Sequence, residues 1–110
     1  MLYDVRTYTC RAGTIKKHLA LYAEHGYAVQ CRHLGMPLAY MQTETGDVNS
    51  YMHIWVYRDV ADRQARRAAL QQDPEWAAYL SRSAEAGYLL NQRNTLMTQV
   101  AFFQPGGKEA

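Results

Sequence analysis

The residues with the most chemical potential sit on two short alternating runs, Tyr3-Asp4-Val5-Arg6-Thr7-Tyr8-Thr9 and Tyr51-Met52-His53-Ile54-Trp55-Val56-Tyr57. An imidazole titrates near neutral pH, so His53 is the candidate catalytic acid or base, provided that it lies in an aromatic cavity beside Arg6 and tyrosines. The competing role is a structural histidine hydrogen-bonded within an interface. Arg6 has the planar fork that grips a carboxylate or enolate, although an ion pair with Asp4 accounts for it equally well. Trp55 and Tyr57 have faces that stack on a planar ligand, or that simply fill a core, as aromatic residues at period two often do. With Tyr8, Tyr40 and Gln42 these give a ligand-binding set of Arg6, Tyr8, Tyr40, Gln42, His53, Trp55 and Tyr57.

Other chemistries lack a signature. His18, His25 and His33 recur at spacings of seven and eight, too far apart for a zinc site built from ligands two to five residues apart, so no metal is expected. Cys10 and Cys31 form no CxxC pair and read as free thiols of a reducing compartment. No GxGxxG, GxxxxGK[ST] or GxSxG occurs, which leaves nucleotide and serine-nucleophile chemistry without support and implies no cofactor. Arg63, Arg66 and Arg67 form a basic helical patch, most simply solvated or paired with Asp59 and Asp62.

The elements that must position these residues follow from pattern. Leu2 to Thr9 alternates as strand one, with Tyr3, Val5 and Thr7 on one face and Asp4, Arg6 and Tyr8 on the other. After Gly13 and Thr14, the residues Ile15, Leu19, Tyr22, Gly26 and Val29 mark one long helix ending at Leu34-Gly35. Leu38 to Thr45 and Ser50 to Tyr57 read as a hairpin around Gly46-Asp47-Val48-Asn49. Asp59 caps a helix to about Gln72, with Ala61, Ala65 and Ala68 inward and Arg63, Arg66 and Arg67 outward. Asp73-Pro74 restarts a second segment whose apolar face is Trp76, Leu80 and Ala84, so this helical region is bent or split. Asn94 to Phe103 supplies strand four. The order is the split βαβ arrangement: an α+β, ferredoxin-like βαββαβ fold, its antiparallel sheet carrying both helices on one face.

At 110 residues and 12.6 kDa, with 48% apolar residues, nine tyrosines and two tryptophans, the chain makes one domain, residues 1–103, followed by a flexible tail, 104–110. A formal charge of +2 and nine scattered arginines give no polybasic run and no reason to expect nucleic acid or membrane as partner. No apolar stretch approaches the roughly 20 residues that span a bilayer. The N-terminus carries neither a secretory signal nor a mitochondrial presequence, and a cytoplasmic location is expected.

The sheet face away from the helices needs a partner if it is not polar. Met52, Ile54 and Val56 suit the helices, which leaves Tyr51, His53, Trp55 and Tyr57, with Arg6, Tyr8, Tyr40 and Gln42, on the open side. Left wet, that side would be a patch at the limit that monomers tolerate. Two such faces packed together, burying roughly 800 Å2 each, predict a homodimer closed as a β-barrel with helices outside and a pocket between the sheets.

These runs, with Asp62-Arg63-Gln64-Ala65-Arg66-Arg67 and Asp73-Pro74-Glu75-Trp76, resemble the NIPSNAP family over about Leu2 to Phe103. The resemblance lies in an acid-x-Arg-x-Tyr element on strand one, a Trp-x-Tyr on strand three, an Asp-Arg helix start and an Asp-Pro-x-Trp, in that order. The chain departs from the pattern at Tyr40-Met41, where the family often has a Gly-aromatic pair, and at Asp4, where Glu is usual. The resemblance implies a ferredoxin-like fold paired as a dimeric α/β barrel, and it brings no catalytic residues with it. The expected function is a homodimer that binds a small aromatic or acidic ligand. The alternative is a cofactor-independent monooxygenase or isomerase, a reading that rests on fold analogy. An RNA-binding module of the same strand order ranks last, since Ser50 to Tyr57 lacks the basic-Gly-aromatic start.

Overall fold

The computed structural model describes residues 1–103, and the expected tail lies outside them. Eight elements follow in order: β1 (Leu2–Cys10), α1 (Ile15–His25), α2 (Tyr27–Leu34), β2 (Ala39–Gln42), β3 (Ser50–Tyr57), α3 (Val60–Gln71), α4 (Pro74–Ala86) and β4 (Leu89–Met97). Taking α1 with α2 and α3 with α4, this is the βαββαβ order. The sheet runs β2-β3-β1-β4 with every neighbouring pair antiparallel, as the ferredoxin-like class requires. No helix among the described residues is long and apolar enough to cross a membrane.

Local chemistry sets the boundaries. Asp59 caps α3 by accepting the Asp62 N–H at 2.8 Å. Asp73 caps α4 by accepting the Glu75 N–H at 2.9 Å, with Pro74 in the first turn, where a missing N–H costs nothing. The first helical region breaks at Gly26 rather than running on. A Cβ there would lie 2.8 Å from the Tyr22 ring and 3.0 Å from that of Tyr79. The break thus lets α4 sit directly on backbone.

β4 begins at Leu89 and ends at Met97, not at Asn94 and Phe103. Gly87 ends α4 with φ of 67°, and the chain then pairs at once along β1, from Cys10↔Leu89 to Tyr3↔Met97. The polar run Asn91-Gln92-Arg93-Asn94 has weak strand propensity, and pairing overrides it. β2 is likewise shorter than the expected Leu38 to Thr45.

The main correction concerns the faces of the sheet. Trp55 and Tyr57 pack with Val29, Leu34 and Leu70 of the helices, and the His18 ring of α1 lies on Tyr51. The ring-bearing side of β3 is therefore the one the helices cover, and Met52, Ile54 and Val56 point away. Cross-strand pairing takes the rest along: Asp4 lies opposite Trp55, Arg6 opposite His53 and Tyr8 opposite Tyr51. The reason is hydrogen bonding, because buried polar groups need partners and aliphatic side chains do not. The helices supply those partners: His18 bonds the Tyr51 hydroxyl at 2.6 Å, and Arg63 Nε donates to Asp4 Oδ2 at 3.0 Å.

The helical faces are corrected to match. On α3 the inward positions are Arg63, Arg67 and Leu70, with Ala61, Ala65 and Ala68 exposed. On α4 they are Trp76, Tyr79 and Ser83, with Leu80 and Ala84 exposed. Nor do the helical histidines share a face: His18 is buried on Tyr51, His25 lies beside Glu24, and His33 bonds Asp73.

Candidate functional site

A cavity of about 190 Å3 opens between the sheet and the helices. Its floor is Arg6, Tyr8, Tyr40, Tyr51 and His53, and its roof includes Tyr22, Gln30, Arg67, Trp76, Tyr79 and Ser83. Of the residues picked from sequence, Arg6, Tyr8, Tyr40 and His53 thus meet at one cavity. It is not the cavity between two sheets that was expected. Trp55 and Tyr57 lie in the core beneath it, and Gln42 is exposed at the end of β2, outside it.

The imidazole of His53 is the central group. Its Nδ1 accepts the indole N–H of Trp55 at 2.7 Å, which places the ring proton on Nε2. That Nε2 is buried and has no partner among the described residues. Burial, reinforced by the positive charge of Arg6, lowers its pKa to about 3, so the ring is neutral at physiological pH. The wall accordingly includes a neutral imidazole. Tyr40 stacks on His53 at 4.6 Å and 16°, and on Tyr51 at 5.9 Å and 15°, forming a set of near-parallel rings in the floor.

Arg6 is held by a carboxylate at the bottom of the site. Asp4 is wholly buried, and its Oδ2 accepts Arg6 Nη2 at 3.2 Å and Arg63 Nε at 3.0 Å, while Oδ1 accepts Asn94 Nδ2 at 3.0 Å. Burial alone would raise the Asp4 pKa; the Asn94 bond and the two guanidinium groups outweigh it and bring it below the ordinary carboxylate value. Arg6 Nη1 also donates to the Tyr8 hydroxyl at 2.9 Å, which fixes the fork at the cavity wall. Burial pushes the hydroxyls of Tyr22, Tyr40 and Tyr51 well above their ordinary pKa, and that of Tyr79 up to about 12. All remain protonated.

Among the described residues no group of three or more His, Cys, Asp or Glu could hold a metal ion. What the arrangement offers is recognition: neutral and cationic donors on an aromatic floor, with no acidic side chain in the lining. Apolar periodicity marks Tyr22 and Trp76 of the roof but not Gln30, Arg67, Tyr79 or Ser83. A usable signal was present, since Arg63, Arg67 and Leu70 share one helical face, as do Trp76, Tyr79 and Ser83.

The strand order and the helix-covered cavity define an α+β protein of the ferredoxin-like class. The chain belongs to the NIPSNAP family, whose sequence pattern matches residues 3–104. It is similar to a NIPSNAP family protein of unknown function from Agrobacterium tumefaciens, with 32% identity over 96% of this chain and 92% of that one and a TM-score of 0.86. An uncharacterized NIPSNAP domain protein from Burkholderia xenovorans shares 29% identity over 94% and 99% of the two chains, also with a TM-score of 0.86. An antibiotic biosynthesis monooxygenase shares the fold alone, at 18% identity over 91% and 99% of the two chains and a TM-score of 0.61. No curated protein matches the chain.

Proposed function

We propose that the chain is a homodimer, joined through the open face of its sheet, that binds one small organic molecule per protomer in the cavity between sheet and helices. The observation that carries the binding reading is His53, a lining residue whose Nε2–H is buried and has no partner among the described residues. A donor left without a partner in a buried place costs about 1–3 kcal/mol, and a bound acceptor removes that cost. The dimer reading draws support from the residues that turn away from the helices. Tyr3, Val5, Met52, Ile54, Val56 and Met97 lie together on a face that no helix of the described chain covers, and aliphatic faces of this kind pack well on their own copies. Cys10 and Cys31 are both free thiols, which goes with a cytoplasmic setting.

Catalysis by a cofactor-independent monooxygenase or isomerase would ask a base to take a proton from the substrate. His53 is a poor base in this setting, with Nδ1 engaged by Trp55 and the pKa held near 3. As a neutral donor it suits a carbonyl or carboxylate oxygen. The test is a fragment screen by ligand-observed NMR on the full chain and on Ser83→Trp, which fills the cavity from α4. Ring-sized fragments should bind the parent and lose binding in the variant, with circular dichroism unchanged. Hits indifferent to the substitution, or no hits at all, would sink the proposal.

A further inference from the structure

We infer that the molecule held in this cavity carries a carboxylate, and that Arg67, a cavity-lining residue of α3 without an ion-pair partner among the described residues, is the group that recognises it. This rests on the binding reading above and gives its ligand a chemical class.

The inference starts from a charge imbalance. Arg6, Arg63 and Arg67 converge on this end of the sheet against the single carboxylate of Asp4, and both Asp4 oxygens are already occupied. The other two inner arginines have partners: Arg63 holds Asp4, and Arg6 holds Asp4 and Tyr8. Arg66, exposed on the same helix, pairs with Asp62 at 2.9 Å. Among the described residues Arg67 alone of the three α3 arginines makes neither an ion pair nor a hydrogen bond, and it is the one that lines the cavity. A half-buried cation facing two others is costly unless an anion joins it. Burial, then repulsion by Arg6 and Arg63, lower its pKa, and an anion in the cavity would relieve both effects.

The chemistry of the walls narrows the anion. A guanidinium fork fits the two oxygens of a carboxylate, and the His53 Nε2–H is a further donor at the same cavity. A bare inorganic anion would leave the Tyr40, His53, Tyr51, Trp76 and Tyr79 rings of the lining unused. A planar body bearing one carboxylate uses both halves, and about 190 Å3 limits it to roughly one ring and a short side chain.

The experiment titrates the full chain at pH 7 and low salt with benzoate, phenylpyruvate, benzamide and inorganic phosphate, reading heat and the fluorescence of Trp76 and Trp55. Parent protein, Arg67→Gln and Arg67→Lys are compared. The acids should bind about tenfold tighter than benzamide. Arg67→Gln should remove most of that preference while leaving benzamide within about twofold, and Arg67→Lys should restore part of it, because lysine returns the charge without the fork. Equal affinity for benzoate and benzamide would overturn the inference and leave the cavity reading intact, as would acid binding unchanged in Arg67→Gln. Phosphate binding more tightly than benzoate would overturn it too. If no ring compound binds, the cavity reading falls and the inference falls with it.

Discussion

The two faces of the sheet divide the chemistry of this protein. Under the helices lie Asp4, Arg6, Tyr8, Tyr51, His53 and Trp55, bound to one another and to α1 and α3 through directional contacts. On the far side lie Val5, Met52, Ile54 and Val56, which need no partner of fixed geometry. The polar, ring-rich face is covered by the protein's own helices because only a dedicated neighbour can place a donor or acceptor at every required point. The aliphatic face can be left for a second copy, since dispersion and water exclusion tolerate many side-chain arrangements. On the proposed function, recognition and assembly fall on opposite sides of one layer.

The sharpest way to break this contrast is to remove the charge on which the inner face is built. Asp4→Asn leaves Arg6 and Arg63 without their counter-ion; it should cost about 3 kcal/mol in urea unfolding, the low end for a buried pair because both arginines reach water. A loss below about 1 kcal/mol, the range of surface pairs, would mean that the inner network is incidental. On the outer face, Ile54→Lys places like charges opposite each other across a twofold interface. It should weaken self-association roughly a hundredfold, seen in sedimentation as monomer, with the cavity and its ligands unaffected. A parent protein that already sediments as monomer would remove the assembly role of that face.

A third effect is on pH. Unfolded, His53 would titrate near 6.5; folded, it titrates near 3, and His18 is shifted in the same direction by burial. The unfolded chain therefore binds protons first as pH falls, so the stability contributed by these neutral rings is complete above pH 6.5 and is lost progressively below it. His53 contributes a slope of about 1.4 kcal/mol per pH unit between roughly pH 6 and 4, and His18 acts in the same direction. His53→Gln should remove one histidine's share of that slope, and an unchanged slope would place the acid sensitivity elsewhere.

How far the sequence could be read differs between element order and orientation. Strand-helix-strand-strand-helix-strand follows from alternation, from the Asp59 and Asp73-Pro74 starts and from glycine stops, because those signals are local. Which side of β3 meets the helices is not local. Both sides are apolar enough to be buried, and the hydrophobic contrast between Met52-Ile54-Val56 and Tyr51-His53-Trp55-Tyr57 points the wrong way if the helices are assumed to present aliphatic stripes. They do not: α1 brings His18 and Tyr22, α3 brings Arg63 and Arg67, and α4 brings Tyr79 and Ser83. Matching polar inner stripes to a polar strand face would have decided the matter. That Arg6, Tyr8, Tyr40 and His53 share one side of the sheet is legible from strand alternation, whereas Arg67 stands among three arginines that read as a solvated surface.

The helix break at Gly26 has a consequence for affinity. Because the rings of Tyr22 and Tyr79 rest on a bare Cα there, the clearance between roof and floor is set by main chain rather than by rotatable groups. A guest of the proposed kind would find a slot already cut to width. Little ordering remains to be done on arrival, and modest contacts can yield a useful dissociation constant. Any side chain at position 26 would act as a wedge against the Tyr22 and Tyr79 rings of the roof, lifting α4 and loosening the grip.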